Sequence, residues 1–483
     1  MTLKKNRKVL LINSNRIKPA VAPIALDYLA QSLKESGYSV DLLDLCFCAD
    51  YRSAFDQYLR ENSPGVIAIT IRNLDDAHSG SRRSFLPGIR KMVVYLKERI
   101  SVPVILGGVG FSIAPEKVLQ YCQANLGIRG EGEHSLPMLL DRLFSERDYT
   151  DVPGLVYRAG GEYKVNAEKY VDLARLPTQP RSFVDNHRYF VEGGQGSIET
   201  KRGCDQQCIY CVDPVSKGKR IRVRPPQHVA DELEALLSKG INCFHTCDSE
   251  FNIPEDHAKE VCEELIKRGL SKQISWYAYA SPKPFSGELA SLMKRSGCVG
   301  IDFGVDSGND RMLERLGRDF TQEDIRKVAG LCHRYGITFM FDLLLGGPGE
   351  TKASVEETIE LMHETKPSMV GVTVGIRIYP GTKMAEMIRG EGPIFGNRNL
   401  FGIVEGNEDF LEPVFYISEE VGKHITSWVT RLTGGNRRFL FADGEDPNRD
   451  YNYNDNAVLV EAIRKGYRGA YWDILRRRRE END

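Results

Sequence analysis

The most chemically loaded stretch of the chain is Cys204-x3-Cys208-x2-Cys211. Three thiolates at this spacing on one loop can each ligate one iron of a [4Fe–4S] cube. The fourth iron is then left without a protein ligand, open to a chelating small molecule. A structural zinc site asks for a fourth ligand and usually shows two CxxC pairs, and no such pair lies nearby. Other candidate groups fall where strand patterns end: Arg72-Asn73, Gly107-Gly108, Gly130-Glu131-Gly132-Glu133, Asp248-Ser249-Glu250 and Asp306-Ser307. Ligands of open α/β sheets bind at the carboxyl ends of the strands, and glycines there let backbone come close to a large planar group.

The elements that must position these groups fall into two alternating series. In the first, Val9–Ile12, Val40–Leu45, Val66–Ile71 and Val102–Leu106 read as strands, and Ile24–Leu33 carries apolar residues at helical spacing. Strand runs separated by helices predict a parallel, doubly wound sheet over residues 1–150. Residues 151–190 read as a connector, punctuated by Pro153, Pro177 and Pro180 and turned at Gly160-Gly161. The second series has strands at Ser197–Thr200, Ile241–His245, Ile274–Ala280, Val299–Phe303, Thr338–Leu344 and Met369–Thr373. Helical patterns at His228–Leu237, Glu255–Lys267 and Val355–Glu364 lie between them. Six βα units fall short of a closed eight-unit barrel and predict a partial, open-sided one over residues 191–400. Residues 401–483 read as a small, mainly helical cap, with helices around Glu419–Leu432 and from Ala457, where Asn456 is a natural N-cap. The fold class is therefore α/β.

Bulk composition narrows the function classes. The chain has 483 residues, and 65 Lys+Arg against 67 Asp+Glu leave a formal charge of −2. Such a balance argues against an electrostatic grip on nucleic acid or an acidic membrane surface. No apolar run reaches the ~18 residues that span a bilayer. The basic start Lys4-Lys5-Asn6-Arg7-Lys8 is followed by only Val9–Ile12, too short for a signal-peptide core. A cytoplasmic location is expected, where the 11 cysteines stay reduced and metal explains the triplet better than disulfides.

CxxxCxxC after the first strand of a partial barrel resembles the radical S-adenosylmethionine (SAM) enzymes. Tyr210 fills the aromatic position before the last cysteine, which in that family packs near the adenine. Asp248-Ser249-Glu250-Phe251-Asn252 stands where the family contacts the methionyl amine, and Gly304-Val305-Asp306-Ser307-Gly308 resembles its ribose-contacting segment. The family usually has Glu at the position of Asp306. Leu345-Gly346-Gly347-Pro348-Gly349-Glu350-Thr351 resembles the glycine-rich turn after the fifth strand. The first series resembles the cobalamin-binding domain fused to many of these enzymes, through Val104-Ile105-Leu106-Gly107-Gly108 with Ala114-Pro115-Glu116, and through Gly130-Glu131-Gly132-Glu133.

The resemblance implies a cobalamin-dependent radical SAM methyltransferase with a [4Fe–4S] cluster on Cys204, Cys208 and Cys211, SAM near Tyr210, Asp248, Glu250, Asp306 and Ser307, and cobalamin near Arg72, Asn73, Gly107, Gly108, Gly130, Glu131 and Gly132. Methyl would pass from SAM, via methylcobalamin, to a carbon of a small organic substrate. An electron donor such as flavodoxin or ferredoxin is implied; nucleic acid and membrane partners are not. The histidine motif of other cobalamin proteins is missing after the first strand, where Asn13-Ser14-Asn15-Arg16 stands. His78 reads as a surface-loop residue. Arg72 becomes the candidate beneath the corrin, as in the tryptophan methylase group, whose tails Gly466–Asp473 also resembles; a salt bridge of Arg72 with Asp75 or Asp76 is its structural alternative. Asp248 and Glu250, two apart, are expected on one side of the chain, both toward SAM's ammonium group. A cyclase or rearrangement enzyme using the same cofactors without methyl transfer stays open. A tRNA methylthiotransferase is disfavoured because Cys46, Cys48 and Cys122 lack a partner near the first strand and the tail is no basic β-barrel. A cobalamin- or cluster-based sensor would need a DNA-binding or signalling module that the sequence does not show.

Overall fold

The computed structural model describes residues 7–176, 178, 180–422, 424–442 and 447–481. Lys4, Lys5 and Asn6 of the basic start, and Pro177 of the connector, lie outside the described residues.

The first sheet has seven strands in the order Ser39–Asp44, Lys8–Asn13, Val66–Thr70, Val104–Gly107, Leu126–Ile128, Leu155–Ala159 and Glu162–Val165. The first five are parallel and the last two antiparallel. Leu10, Ile12, Ile67, Ile69 and Leu106 feed a core on one face, while Val9, Leu11, Val66, Ile105 and Ile128 feed one on the other. A sheet buried on both faces needs such apolar runs in place of an apolar–polar alternation. The Gly160-Gly161 turn closes a hairpin whose strands extend this sheet, so the start of the expected connector belongs to it. Val156, Tyr157, Tyr163 and Val165 supply the β-forming side chains there.

The six expected strands of the second series all form, as Gly196–Ile198, Cys243–Thr246, Ser275–Ala280, Cys298–Asp306, Thr338–Leu345 and Met369–Val374. They are parallel neighbours in chain order. A seventh, Phe439–Phe441, comes from the C-terminal region and pairs parallel with the sixth. Three residues are too few to show a period. The C-terminal region is thus helical with short strands, its helices being Ile425–Leu432, Ala457–Arg464 and Tyr471–Glu480. Asn456 caps the second as expected, accepting from the Leu459 amide at 3.1 Å.

Register decides what the barrel shows on each side. His245 lies opposite Tyr277, Tyr277 opposite Gly300, Tyr279 opposite Asp302, Gly304 opposite Asp342 and Asp342 opposite Gly371. This set faces the lumen, while Phe244, Ile301, Phe303, Phe339 and Phe341 alternate with it and join the core under the helices. The tail enters the lumen. The rings of Tyr451, Tyr453 and Tyr471 follow one another at 5.3 and 5.5 Å, and Tyr277 donates to Asp473 at 2.7 Å. A Cβ at Gly371 would meet the Tyr451 ring at 2.6 Å, so glycine there makes room for the tail.

Candidate active site

A cavity of about 690 Å³ opens between the carboxyl ends of the two sheets. The first sheet contributes Arg72, Asn73, Gly107, Gly108, Gly130, Glu131 and Gly132, the barrel Lys201, His245 and Tyr279, and the tail Tyr453, Tyr471 and Trp472. Volumes of 300–1,000 Å³ are usual for ligand sites. Every residue expected near cobalamin therefore lines one space. Gly108 has a φ of +100°, and a Cβ on it would stand 2.6 Å from the Ile71 carbonyl oxygen. Glycine is thus required for the loop to fold back on the neighbouring strand, which keeps backbone rather than side chain at the cavity wall.

Arg72 follows the third strand, which ends at Thr70, and makes no ion pair or hydrogen bond with any described residue. Its salt-bridge alternatives are taken. Asp75 pairs with Arg377 at 2.9 Å and accepts from the Tyr379 hydroxyl at 3.1 Å. Asp76 accepts from the Ser81 hydroxyl at 2.6 Å and from the Arg83 amide at 3.1 Å. The guanidinium charge instead reaches the hydroxyls of Tyr279 and Tyr471 across the cavity. His78 also lines this cavity, a correction to its reading as a surface residue. The Ser79 hydroxyl beside it is tied to the Val374 carbonyl at 2.6 Å, which draws that loop onto the barrel.

Glu131 has a second attachment. It pairs with Arg222 at 2.7 Å and Arg202 at 3.4 Å, and accepts from the Val171 amide at 2.6 Å. Arg202 also holds Glu133 and Glu199, both at 2.8 Å. These nearly buried charges latch the first sheet to the barrel beside the cavity.

The three cysteines follow the strand Gly196–Ile198 on one loop, and all are free thiols. Burial pushes Cys204 up to about 12 and Cys211 well above the usual thiol range, and each feels the charge of its neighbours in the triplet. Such thiols ionise only against a strong positive charge, which iron supplies. Among the described residues no three His, Cys, Asp or Glu side chains converge as a site for one metal ion. A cube takes each thiolate on a separate iron and so wants the sulfurs near but spread. Three mutually sensitive thiols on one loop, Cys204 buried and Cys208 and Cys211 partly so, fit that group.

Around the triplet the expected residues divide. Tyr210 donates its hydroxyl to Asp306, and Arg318 pairs with Asp306 at 3.1 Å while donating to Cys208 Sγ at 2.9 Å. Glu250 lines a small cleft with Cys204, and burial pushes its carboxyl up to about 7 despite the Arg318 charge. Asp248 is turned away from this group. It accepts from the Thr200 amide at 2.8 Å, the Thr200 hydroxyl at 2.7 Å and the Lys201 amide at 3.2 Å. The expectation that it shares a side with Glu250 is thus corrected, because the strand ends at Thr246 and alternation stops with it. Ser307 is fully buried, its hydroxyl 3.2 Å from that of Thr358, so its side chain also faces away from the cleft. Glu350 shapes the glycine-rich turn by accepting from the amides of Gly346 and Gly347.

Arg318, His245, Tyr279 and the Asp302–Asp342 pair carry no local motif, and sequence reasoning missed them. Only register and loop closure bring them to the site.

A family model for B12-binding domains matches residues 11–140, and the model of the radical SAM superfamily matches residues 198–362. Together the two models mark a B12-binding domain followed by a radical SAM domain in this chain. The protein is 29% identical to the tryptophan 2-C-methyltransferase of Streptomyces laurentii, over 96% of this chain and 95% of that protein. The structure of the radical SAM methyltransferase TsrM from Kitasatospora setae, with tryptophan and a SAM analogue bound, superposes with a TM-score of 0.91 at 29% identity. That match covers 99% of this chain and 98% of the other. A second TsrM structure, with cobalamin and a [4Fe–4S] cluster bound, gives 0.87 at 28% identity and covers 98% of each chain.

Proposed function

We propose that the protein is a cobalamin-dependent radical SAM C-methyltransferase that moves a methyl group from SAM, by way of cobalamin, to a carbon of a small aromatic substrate of the tryptophan type. The observation that carries this reading is the single cavity walled by the carboxyl ends of both sheets, with Arg72 on one side and the barrel lumen on the other. Cobalamin supplies a carrier that accepts a methyl group and gives it up as a cation equivalent. The chain's own residues do the rest. Cys204, Cys208 and Cys211 hold the cluster. Glu250, Tyr210 and Asp306 receive SAM, and Arg318 braces Asp306 and Cys208. Asp248 and Ser307 position the loops that carry these contacts.

Arg72, with Asn73, Gly107, Gly108, Gly130, Glu131 and Gly132, forms the cobalamin wall. An arginine stays protonated at working pH and cannot become a metal ligand. With cobalamin held against this wall, Arg72 would bring a fixed positive charge to it without supplying a ligand. The tail aromatics Tyr453, Tyr471 and Trp472 close the lumen around substrate. We place the protein in the cytoplasm with a flavodoxin or ferredoxin as electron source.

The test is anaerobic incubation of the reconstituted holoenzyme with methyl-labelled SAM and a panel of aromatic metabolites, tryptophan first, read by mass spectrometry. Label on a substrate carbon supports the reading. Consumption of SAM to 5′-deoxyadenosine with an altered but unlabelled substrate would show a cyclase or rearrangement enzyme instead.

A further inference from the structure

His245 stands in the barrel wall of the cavity and has no part in holding either cofactor in the reading above. It is 7% exposed, and its ring lies 4.6 Å from that of Tyr279 and 6.4 Å from that of Tyr277. Its Nδ1 is 2.8 Å from the carbonyl oxygen of Thr246. A carbonyl only accepts, so Nδ1 carries the hydrogen. Burial lowers the ring's pKa to about 4, which keeps it neutral at working pH. Nε2 is then an unprotonated acceptor, and among the described residues it has no hydrogen-bond partner. The ring edge left for the cavity, once Nδ1 is tied to backbone, is the one that carries Nε2.

The chemistry proposed for this cavity needs such a group. Replacing an aromatic hydrogen by a methyl cation equivalent releases one proton per turnover. The new carbon–carbon bond takes a ring electron pair, and the breaking C–H bond returns its pair to the ring. The proton has to leave by a base within reach of the substrate. We propose that Nε2 of His245 is that base, accepting the proton given up by the substrate. This inference rests on the methyltransferase reading. Asp248 is the acid whose charge favours the protonated ring. Tyr277 and Tyr279 flank the ring, Cys247 follows closely in the chain, and Arg72 and Lys201 are cations lining the same cavity. Burial disfavours the product imidazolium, so it gives its proton up to solvent again.

Two measurements test the proposal on the holoenzyme. The first is 15N NMR of histidine-labelled protein, with His245→Gln to assign the signal. The expected result is a neutral ring with its hydrogen on Nδ1 between about pH 6 and pH 8. A proton on Nε2, or titration in the ordinary histidine range, overturns the proposal whatever the activity. The second is methyl transfer to tryptophan, or to whichever aromatic the labelled panel identifies. His245→Asn keeps a donor for the Thr246 carbonyl but has no Nε2, and His245→Ala leaves space for added imidazole. Both are expected to lower kcat by roughly 100-fold or more while KM moves by less than about threefold, as loss of a general base does. The visible absorbance of both cofactors should stay as in wild type, and imidazole should restore part of the rate to His245→Ala. A kcat within about threefold of wild type, or a change confined to KM, overturns it. If wild type methylates no aromatic, the functional reading fails, and the NMR result still decides whether Nε2 is a free acceptor.

Discussion

The strand-end regions of the two sheets hold arginines in opposite states. Arg72, on the first sheet, is exposed to the cavity with no ion pair, while Arg318, beside the barrel, is buried against Asp306, Cys208 and the Gly304 carbonyl. The walls differ in the same way. Around Arg72 the cavity is bounded by glycine backbone, whereas Arg318 sits outside the cavity lining among interacting carboxyl, hydroxyl and thiol groups. Room and backbone with one unpaired charge suit a large planar cofactor. A small charged cofactor is held by side chains that must be oriented and partly desolvated beforehand.

Breaking the barrel side should have the largest effect. Replacing Cys204, Cys208 and Cys211 by Ala is expected to abolish the cluster's charge-transfer absorbance and all SAM cleavage, while cobalamin still binds to the first sheet. A full cluster in that variant contradicts the assignment. Glu250→Gln comes next. A charge-assisted contact of ~1.5–3 kcal/mol makes SAM bind on the order of 10- to 100-fold more weakly, measured by equilibrium dialysis, with the cluster spectrum unchanged. Because the Glu250 carboxyl is raised to about 7, its ionised form is lost as pH falls through that value. Wild-type SAM affinity should fall there too, and the variant's should stay flat.

On the other wall, Arg72→Lys should retain cobalamin and lower methyl transfer by about tenfold, since lysine keeps the charge but loses the planar blocking shape. The smallest effect is on stability. Asp302 and Asp342 face each other in the lumen with no cationic partner among the described residues, and burial raises both carboxyls, with the Asp342 charge adding to the rise at Asp302 and the Asp306 charge to that at Asp342. A raised acid binds its proton more tightly in the folded state, so its penalty is absent below the unfolded value of ~3.9 and grows as pH rises through the folded one. Asp342→Asn should therefore stabilise the fold by about 1 kcal/mol at pH ~8 and by nothing near pH ~4, read by denaturant titration. Equal stability at both values would show that the pair carries no penalty.

How much was legible follows from the range of each signal. The cysteine triplet, the six parallel strands and the ligand loops at Arg72, Gly107 and Gly130 are local patterns, and the structure forms each of those strands and loops. The triplet also needed no partner elsewhere in the chain to be recognised. Asp248 misled because alternation was carried past the end of its strand at Thr246, where the chain turns and hands the carboxylate to Thr200 and Lys201. His78 misled because a polar loop reads as surface until a second domain covers it. Arg318 and His245 were illegible for a different reason. Their partners are set by loop closure and by the register of strands far apart in the chain, and no spacing encodes that. The short strand Phe439–Phe441 forms only because the sixth strand offers it an edge.

The central claim is that the first sheet presents cobalamin with an arginine and no lower ligand. Electron paramagnetic resonance of the Co(II) state in the wild-type holoenzyme tests it most directly. The account predicts a cobalt signal without nitrogen superhyperfine splitting, unchanged in His78→Ala. A nitrogen-split signal that disappears in His78→Ala would show a histidine on the lower face and contradict the account.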